Sequence, residues 1–319
     1  MSSPIAFTWP LPGDEIARLA EVRAVRVREG GELLDEAGLA EFVGNAEAVV
    51  TLLADPMTDR VMAACPSLRV IANCAVGYDN IDLEAARRRG IWVTNTPDVL
   101  TEATADLAWA LILAVTRRVV EGDAMVRQGG FHGWRPDLLL GTGLQGKTLG
   151  IVGYGRIGRA VARRAAGFGM EVAYSDSEER PEPGVSARRL SLEQLLAASH
   201  VLSIHCPLTP ETHHILDVRN LRLLPDGAFV VNTARGPVID EEALVAALES
   251  GRLAGVGLDV YEAEPDVHPG LLGRTNVVLL PHVGSATLET RSAMAGLAIE
   301  NAVAVLDGRE PPTPVVRGD

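Results

Sequence analysis

The chain has 319 residues, 47% of them hydrophobic and 22% charged, which excludes a disordered protein and favours two domains of ordinary size. The formal net charge of −13 disfavours a nucleic-acid partner, because phosphate binding needs clustered Lys and Arg side chains. The longest apolar run, residues 107–115, falls far short of the ~20 residues that span a bilayer, so we expect no membrane partner.

The cysteines and the N-terminal residues indicate the compartment. Cys65, Cys74 and Cys206 are odd in number and form no CxxC pair. This pattern fits a reducing compartment and predicts neither a disulfide scaffold nor a metal site. Residues 1–13 lack the basic start and the long apolar core of a signal peptide, so the sequence predicts a cytoplasmic protein.

The first third of the chain alternates short apolar runs with helical patterns, which is typical of parallel α/β structure. The strands that we predict here cover residues 46–54, 68–76 and 91–95. Between the last two we predict a short helix over residues 80–90, which Gly90 closes.

A longer helical pattern covers residues 100–129. It is apolar around much of its circumference, which predicts one helix buried between layers. Residues 130–146 contain Gly, Pro and Trp without a clear period, and we predict a loop there.

Six strand-like runs follow, at residues 148–153, 171–175, 200–205, 228–233, 254–259 and 276–281. The helices between them carry their own end signals: Ser191 and Gln194 form a capping box, and Asp240 caps a helix that Gly251 ends. Six strands with helical crossovers predict one doubly wound, Rossmann-type parallel sheet. A last amphipathic helix is predicted over residues 288–308.

The first crossover of this sheet carries a dinucleotide fingerprint. Gly153 permits a tight turn, Gly155 lets the backbone approach a pyrophosphate, and Gly158 permits close helix packing. Asp176 ends the second strand, where an acid binds a ribose 2′-OH. We therefore predict NAD(H) as the preferred cofactor, with NADP(H) as the alternative because Arg180 follows closely.

Polar side chains also follow three later strands, at the edge where α/β sheets bind ligands. They are Arg235, the pair Asp259 and Glu264, and His282. Taken singly, each has a structural interpretation: a paired arginine, a solvated acid, a hydrogen-bonded core histidine. Their joint position beside a dinucleotide fingerprint favours a catalytic group.

Four motifs in this order, "GYGRIG", "NTARGPVID", "GLDVYEAEP" and "PHVGSAT", resemble the D-isomer-specific 2-hydroxyacid dehydrogenase family. The resemblance runs almost end to end, and "NCAVGYDNID", "TNTPDVLTEATADLAWALILA" and "GWRPDLLLGTGLQGKTLGIVG" resemble its glyoxylate/hydroxypyruvate reductase branch. It implies an NAD(P)H-dependent enzyme that reduces a small 2-oxo acid, glyoxylate or hydroxypyruvate, to the D-2-hydroxy acid.

The resemblance implies Arg235, Glu264 and His282 as the catalytic residues. Arg235 is expected to bind the substrate carboxylate and ketone as a planar, permanently charged fork. His282 is expected to give a proton to the ketone oxygen, and Glu264 to orient the imidazole and favour its charged form.

The resemblance also implies binding residues in both parts of the chain. The backbone N–H groups of Val76 and Gly77 are expected to hold the substrate carboxylate, with Leu53 lining the pocket. The expected cofactor contacts are Thr104, Gly153, Gly155, Arg156, Ile157, Gly158, Asp176, Cys206, Thr233, Ala234, Asp259, His282 and Gly284.

The implied architecture is a Rossmann-type domain inserted into a smaller, flavodoxin-like α/β substrate domain. The substrate domain would comprise residues 1–98 and 289–319, and the NAD-binding domain residues 99–288. Within the latter, residues about 120–146 resemble the family's dimerisation arm, so a homodimer is expected, with Leu138 to Leu140 near the partner subunit.

Other activities of the same fold remain open at this point. The phosphite dehydrogenase branch shares "GWRP" but would place a lysine at Val76. D-3-phosphoglycerate and D-lactate are alternative substrates, although the usual regulatory extension of phosphoglycerate dehydrogenase is not found. From a different class, the C-terminal binding proteins use the fold as NAD-sensing corepressors and retain the catalytic triad.

Overall fold

The computed structural model of the protein describes residues 4–318. The described chain forms two compact units, residues 4–100 with 285–318 and residues 101–284. Residues 1–3 and 319, which belong to the predicted substrate domain, lie outside the described residues. Each unit has its own mostly parallel sheet, and the predicted α/β class with a Rossmann-type sheet is confirmed.

The sheet of the first unit has the strand order β13-β5-β4-β3-β1-β2. All its pairings are parallel except that of β13 with β5. We had predicted β3, β4 and β5, whereas β1, β2 and β13, each of three residues, were missed. The strands are β1 (Ile5–Phe7), β2 (Val25–Val27), β3 (Ala48–Thr51), β4 (Val70–Asn73), β5 (Trp92–Thr94) and β13 (Pro314–Val316).

The helices of this unit are α1 (Glu15–Ala20), α2 (Glu36–Val43), α3 (Asp59–Ala64), α4 (Leu83–Arg88) and α11 (Leu288–Leu306). Asp35, Thr58 and Asp82 each accept a hydrogen bond from the N–H three residues later, which fixes where α2, α3 and α4 begin. Helix α11 packs its small side chains on the sheet, where Ala298 and Ala302 are fully buried.

The second unit contains a seven-stranded parallel sheet, of order β12-β11-β10-β9-β6-β7-β8. Our prediction of six strands missed β8, an edge strand whose sequence ARR carries no apolar run. The chain winds outward from β6 to β8 and then returns to β9, so the strand order reverses beside β6. The strands are β6 (Thr148–Val152), β7 (Glu171–Ser175), β8 (Ala187–Arg189), β9 (Val201–Ile204), β10 (Ala228–Asn232), β11 (Leu253–Leu258) and β12 (Val277–Leu279).

The α-helices of this unit are α5 (Thr101–Thr116), α6 (Val119–Arg127), α7 (Arg156–Ala165), α8 (Leu192–Ala198), α9 (Val218–Leu221) and α10 (Glu241–Glu249). Our prediction of one helix over residues 100–129 was wrong. Arg118 adopts a left-handed conformation (φ 55°) and separates α5 from α6. Only α5 is buried, since α6 contains no buried residue. The capping box at Ser191 and the Asp240 cap are present as predicted.

Candidate active site

The glycine loop after β6 has three glycines in different surroundings. Gly153 has φ 88°, and a Cβ there would lie 2.5 Å from the backbone nitrogen of Cys206. A Cβ on Gly158 would lie 2.2 Å from the carbonyl oxygen of Gly153, so helix α7 approaches the loop too closely for any side chain. A Cβ on Gly155 would meet nothing within 4 Å, which leaves open space at the start of α7. That space lies where the free N–H groups of a helix attract phosphate.

Asp176 follows β7 and is tied to this loop. Its carboxylate accepts hydrogen bonds from the N–H of Tyr154 at 2.6 Å and from the N–H of Glu178 at 3.0 Å. The Tyr154 ring also stacks on that of Tyr174 in β7, with ring centroids 3.9 Å apart. This is a second contact between the glycine loop and β7. Arg180 pairs with Glu178 at 2.8 Å and places its Nε 3.9 Å from Asp176. An acid and a cation therefore share the turn where an adenosine ribose would bind.

His282 and Glu264 are brought together although 18 residues separate them. Nδ1 of His282 lies 2.9 Å from Oε2 of Glu264, and each side chain is about one third exposed. The backbone of His282 is left-handed, with φ 52°, and its N–H donates to the carbonyl of Asp259 at 2.9 Å. Because the carboxylate engages Nδ1, Nε2 is the ring nitrogen available for proton exchange with a substrate.

Glu264 is held as a carboxylate. Its other oxygen accepts a hydrogen bond from the N–H of Tyr261 at 3.0 Å. Burial works to raise its pKa, but the hydrogen bond and charge of His282, the Tyr261 N–H and the charge of Arg235 together hold the pKa of Glu264 below its usual value. The ionised carboxylate therefore faces Nδ1 of His282 and orients its ring.

Arg235 lies three residues after the end of β10 and is half-buried. Asn232 shapes its turn, because the Asn232 side chain donates to the carbonyl of Arg235 at 2.8 Å and accepts from the N–H of Ala234 at 2.9 Å. The Arg235 guanidinium donates to the carbonyl of Ala234 at 2.7 Å. A Cβ on Gly236 would lie 1.8 Å from the carbonyl oxygen of Tyr261, so this turn packs directly against the segment that carries Glu264.

Asp259, Thr233, Thr104 and Gly284 belong to the same unit, and the first three have buried side chains. Asp259 is 1% exposed; Oδ1 accepts from the N–H of Val283 at 2.7 Å, and burial raises the pKa of the carboxyl. Among the described residues, Oδ2 of Asp259 and Oγ1 of Thr233 have no hydrogen-bond partner. A Cβ on Gly284 would come within 3.2 Å of Oδ2 and 3.5 Å of the Thr104 methyl group. Buried polar atoms without partners fit a carboxamide, which both donates and accepts.

Cys206 and His205 follow β9 beside the glycine loop. Burial raises the pKa of the Cys206 thiol to about 12, so its expected role rests on shape and backbone. Burial lowers the pKa of His205 to about 3, and its Nε2 lies 2.8 Å from the Ser203 hydroxyl. Burial therefore disfavours the protonated form of His205, which is the form that a general acid uses.

The expected substrate-binding residues Leu53, Val76 and Gly77 belong to the first unit. Leu53 follows β3 and the other two follow the neighbouring strand β4, so all lie at the carboxyl edge of that sheet. The carbonyl of Val76 accepts from the Asn95 side chain, and that of Gly77 from the Asn73 side chain, both at 2.8 Å. We had not singled out either asparagine, although Asn73 ends β4 and Asn95 directly follows β5.

Two classes of site have no candidates in the part of the chain that the structure describes. Residues 4–318 contain no group of three or more His, Cys, Asp or Glu side chains that could hold a metal ion. Within the same residues, every helix is too short or too polar to cross a membrane.

Comparison with known proteins settles the family. Residues 109–284 match the model of the D-isomer specific 2-hydroxyacid dehydrogenase, NAD binding domain. The chain belongs to the D-2-hydroxyacid dehydrogenase family. It is therefore an oxidoreductase whose matched domain binds a nicotinamide dinucleotide. The resemblance that the motifs carried is confirmed.

Relatives cover nearly the whole chain of this dehydrogenase. It is 45% identical to the glyoxylate reductase of Thermococcus litoralis, over 98% of this chain and 96% of the relative. Among solved structures it is similar to the TT0316 protein of Thermus thermophilus (TM-score 0.93, 50% identity, covering 98% and 100% of the two chains). It also resembles an NADPH-dependent glyoxylate/hydroxypyruvate reductase of Sinorhizobium meliloti in complex with NADP and malonate (TM-score 0.89, 36% identity, covering 100% and 99%).

Proposed function

We propose that this dehydrogenase reduces glyoxylate to glycolate, which is achiral, or hydroxypyruvate to the D-2-hydroxy acid. The observation that carries the proposal is the His282–Glu264 hydrogen bond of 2.9 Å, with the Arg235 turn packed against the same segment. Relatives that cover nearly all of the chain are glyoxylate reductases, which favours these substrates over phosphite, D-3-phosphoglycerate and D-lactate. The same relatives favour an enzyme over a corepressor.

In this mechanism Arg235 binds the substrate carboxylate and the ketone oxygen, because its charge is permanent and its N–H groups form a fork. Nε2 of protonated His282 donates its proton to the ketone oxygen as negative charge develops there, and Glu264 stabilises the imidazolium until then. A bound reduced nicotinamide supplies the hydride that reduces the ketone carbon. In the oxidation direction neutral His282 removes the hydroxyl proton.

The cofactor is proposed to bind at the glycine loop and around Asp259. Gly153, Gly155, Arg156, Ile157 and Gly158 would meet the pyrophosphate at the start of α7. The other proposed contacts are Thr104, Asp176, Cys206, Thr233, Ala234, Asp259, His282 and Gly284. Asp176 favours NAD(H), since its carboxylate accepts from ribose hydroxyls and repels a 2′-phosphate. NADP(H) is the alternative, supported by the neighbour that binds NADP and by Arg180 beside Asp176.

The first unit is proposed to be the substrate domain, with boundaries near residues 98 and 289. The N–H groups of Val76 and Gly77 would bind the substrate carboxylate, and Leu53 would limit the size of the substrate side chain. A backbone N–H pair at the end of a parallel strand is a suitable anion site because the donors are fixed in place.

A homodimer is part of the same proposal. Trp134 is 83% exposed, Leu140 69% and Phe131 53%, and these side chains lie in or next to the predicted arm. Large apolar side chains exposed along one short segment favour a protein partner. A cytoplasmic location is also proposed, which the three free cysteines support.

Steady-state kinetics test the proposed function. We expect NADH-dependent reduction of glyoxylate and hydroxypyruvate with higher kcat/KM than of pyruvate or phenylpyruvate, and a product of D configuration from hydroxypyruvate. Protein that binds NADH but reduces none of these four acids would contradict the proposal.

A further inference from the structure

The turn after β4 is held from the protein interior at three consecutive peptide groups. The carbonyl of Ala75 accepts from the N–H of Thr96 at 2.8 Å. The carbonyl of Val76 accepts from the Asn95 side chain, and the carbonyl of Gly77 from the Asn73 side chain, each at 2.8 Å. All three carbonyl groups of this turn are therefore engaged by neighbouring strand ends.

These bonds also fix the direction of the N–H groups. In a trans peptide the C=O of one residue and the N–H of the next lie in one plane and point in opposite directions. Holding the Ala75 carbonyl therefore directs the N–H of Val76 away from β5, and holding the Val76 carbonyl does the same for the N–H of Gly77. Asn95 thus determines where the second proposed donor points.

Asn80 connects this turn to the loop that carries Leu53. Its Nδ2 donates to the carbonyl of Leu52 at 3.0 Å and to the carbonyl of Asp55 at 2.9 Å. Its Oδ1 accepts from Asn73, with 3.4 Å between the two atoms. Asn80 therefore bonds the chain both before and after Leu53. The same side chain contacts Asn73, which holds the Gly77 carbonyl.

The Leu53 loop is braced from its other side as well. The buried carboxyl of Asp55 accepts from the N–H of Leu52 at 2.7 Å and from the Thr8 hydroxyl at 2.5 Å. Burial raises the pKa of Asp55, against these hydrogen bonds and the charge of Arg28. Asn73, whose side chain is fully buried, also accepts from the Thr51 hydroxyl at 3.1 Å. The polar groups at the ends of β1, β3 and β4 thus form one connected network.

We infer that Asn73, Asn80 and Asn95 are positioning residues for substrate recognition. Asn95 orients the N–H of Gly77 toward the substrate carboxylate, Asn73 holds the Gly77 carbonyl of the same turn, and Asn80 fixes that turn relative to Leu53. The spacing between the carboxylate site and Leu53 then limits which 2-oxo acids are accepted. This inference rests on the proposed function, because it needs a substrate carboxylate at the turn.

The first test uses Asn95→Ala, which releases the Val76 carbonyl. We expect KM for glyoxylate and Kd for oxalate, an unreactive dicarboxylate, to rise about tenfold, with kcat and the NADH Kd changed less than about twofold. Loss of binding without loss of kcat is the result for groups that only hold the substrate. Unchanged KM and oxalate Kd would overturn the role of Asn95.

The second test uses Asn80→Ala and measures the selectivity between 2-oxo acids. We expect the ratio of kcat/KM for glyoxylate over phenylpyruvate to fall about fivefold, because a looser spacing favours the larger acid. A purely structural role would lower both values equally by reducing the amount of folded enzyme. An unchanged ratio would therefore overturn the role of Asn80.

The matched control is Asn220→Ala in the second unit. Asn220 is half-buried like Asn80, and its Nδ2 donates to the carbonyl of Ile215 at 2.7 Å. The Asn220→Ala variant should have a lower Tm. Its KM for glyoxylate, its oxalate Kd and its ratio of kcat/KM for glyoxylate over phenylpyruvate should stay at the wild-type values. If an alanine variant does not fold, Asn95→Ser and Asn80→Ser, which keep one donor, should give smaller shifts in the same direction. Wild-type protein that reduces no 2-oxo acid would refute the proposed function, whereas active wild type with unaltered variants refutes only this inference.

Discussion

The glycine loop after β6 and the turn after β4 both present backbone N–H groups at the carboxyl end of a parallel strand, yet they are built differently. In the glycine loop, the absence of side chains lets the backbone of Gly153 and helix α7 come together, and the helix start supplies the donors. In the β4 turn, Asn73 and Asn95 hold the carbonyl groups from inside. A site that depends on glycines is disrupted by any added side-chain atom. A site whose backbone is held by several hydrogen bonds is distorted gradually, as individual bonds are removed.

The largest effect should come from adding one methyl group to the glycine loop. In Gly158→Ala the new Cβ would collide with the Gly153 carbonyl oxygen, so we expect destabilisation by ~1–3 kcal/mol or more and loss of NADH binding. Thermal unfolding and NADH titration measure both.

Gly155→Ala is the matched control for this prediction, because its Cβ meets no protein atom within 4 Å. It should fold with nearly the wild-type Tm but bind NADH about tenfold more weakly, since the methyl group fills space meant for the pyrophosphate. If both variants unfold alike, the loop is not shaped by the packing of Gly158.

The contrast between the two sites also explains how much the sequence revealed. Glycines at fixed spacing after an apolar strand form a local pattern, so Gly153, Gly155, Gly158 and the Rossmann-type sheet were predictable. The asparagine network joins residues from the ends of separate strands, and no local spacing marks it. The edge strand β8 was not predicted for a similar reason, because it is held by pairing with β7 rather than by apolar residues.

The proposed catalytic residues are an intermediate case. Arg235, Glu264 and His282 could be predicted from a resemblance, and the structure brings His282 and Glu264 within 2.9 Å. The contact of the Gly236 turn with the Tyr261 backbone could not be predicted, because it depends on how two loops after adjacent strands pack.

A smaller but decisive effect is expected for Arg235→Lys. Lysine keeps the positive charge but loses the planar fork, so kcat/KM for glyoxylate should fall at least about tenfold, or ~1.4 kcal/mol of transition-state stabilisation. NADH affinity should remain at its wild-type value, in contrast to the glycine variants. Wild-type efficiency on every 2-oxo acid tested would make Arg235 a structural residue.

The next prediction concerns pH and uses Glu264→Gln. Reduction needs protonated His282, so its rate holds at low pH and declines as pH rises. The pKa of Glu264 lies below its usual value, so wild-type Glu264 is charged throughout this range and stabilises the imidazolium. Removing the charge should move the alkaline limb of kcat/KM for reduction to lower pH by about one unit.

The control for Glu264→Gln is the reverse reaction. Oxidation needs neutral His282, so it should gain at low pH relative to reduction. NADH binding and the Tm are measured first to exclude misfolding. A reduction limb that stays in place would assign the role to another acid.

The smallest effect is expected at the ribose end of the cofactor site, with Arg180→Ala. Arg180 is partly exposed and pairs with Glu178 at 2.8 Å, and exposed pairs of this kind contribute little to stability, ~0–1 kcal/mol. The Tm should therefore hardly move. Arg180 places its Nε 3.9 Å from Oδ1 of Asp176, so its charge would favour a 2′-phosphate at this turn. We expect wild-type enzyme to prefer NADH, and the variant to lose about threefold more kcat/KM with NADPH than with NADH.

A preference of the wild type for NADPH would show that the Arg180 charge outweighs that of Asp176. An equal loss with both cofactors would show that Arg180 acts only on the shape of the turn that Asp176 begins.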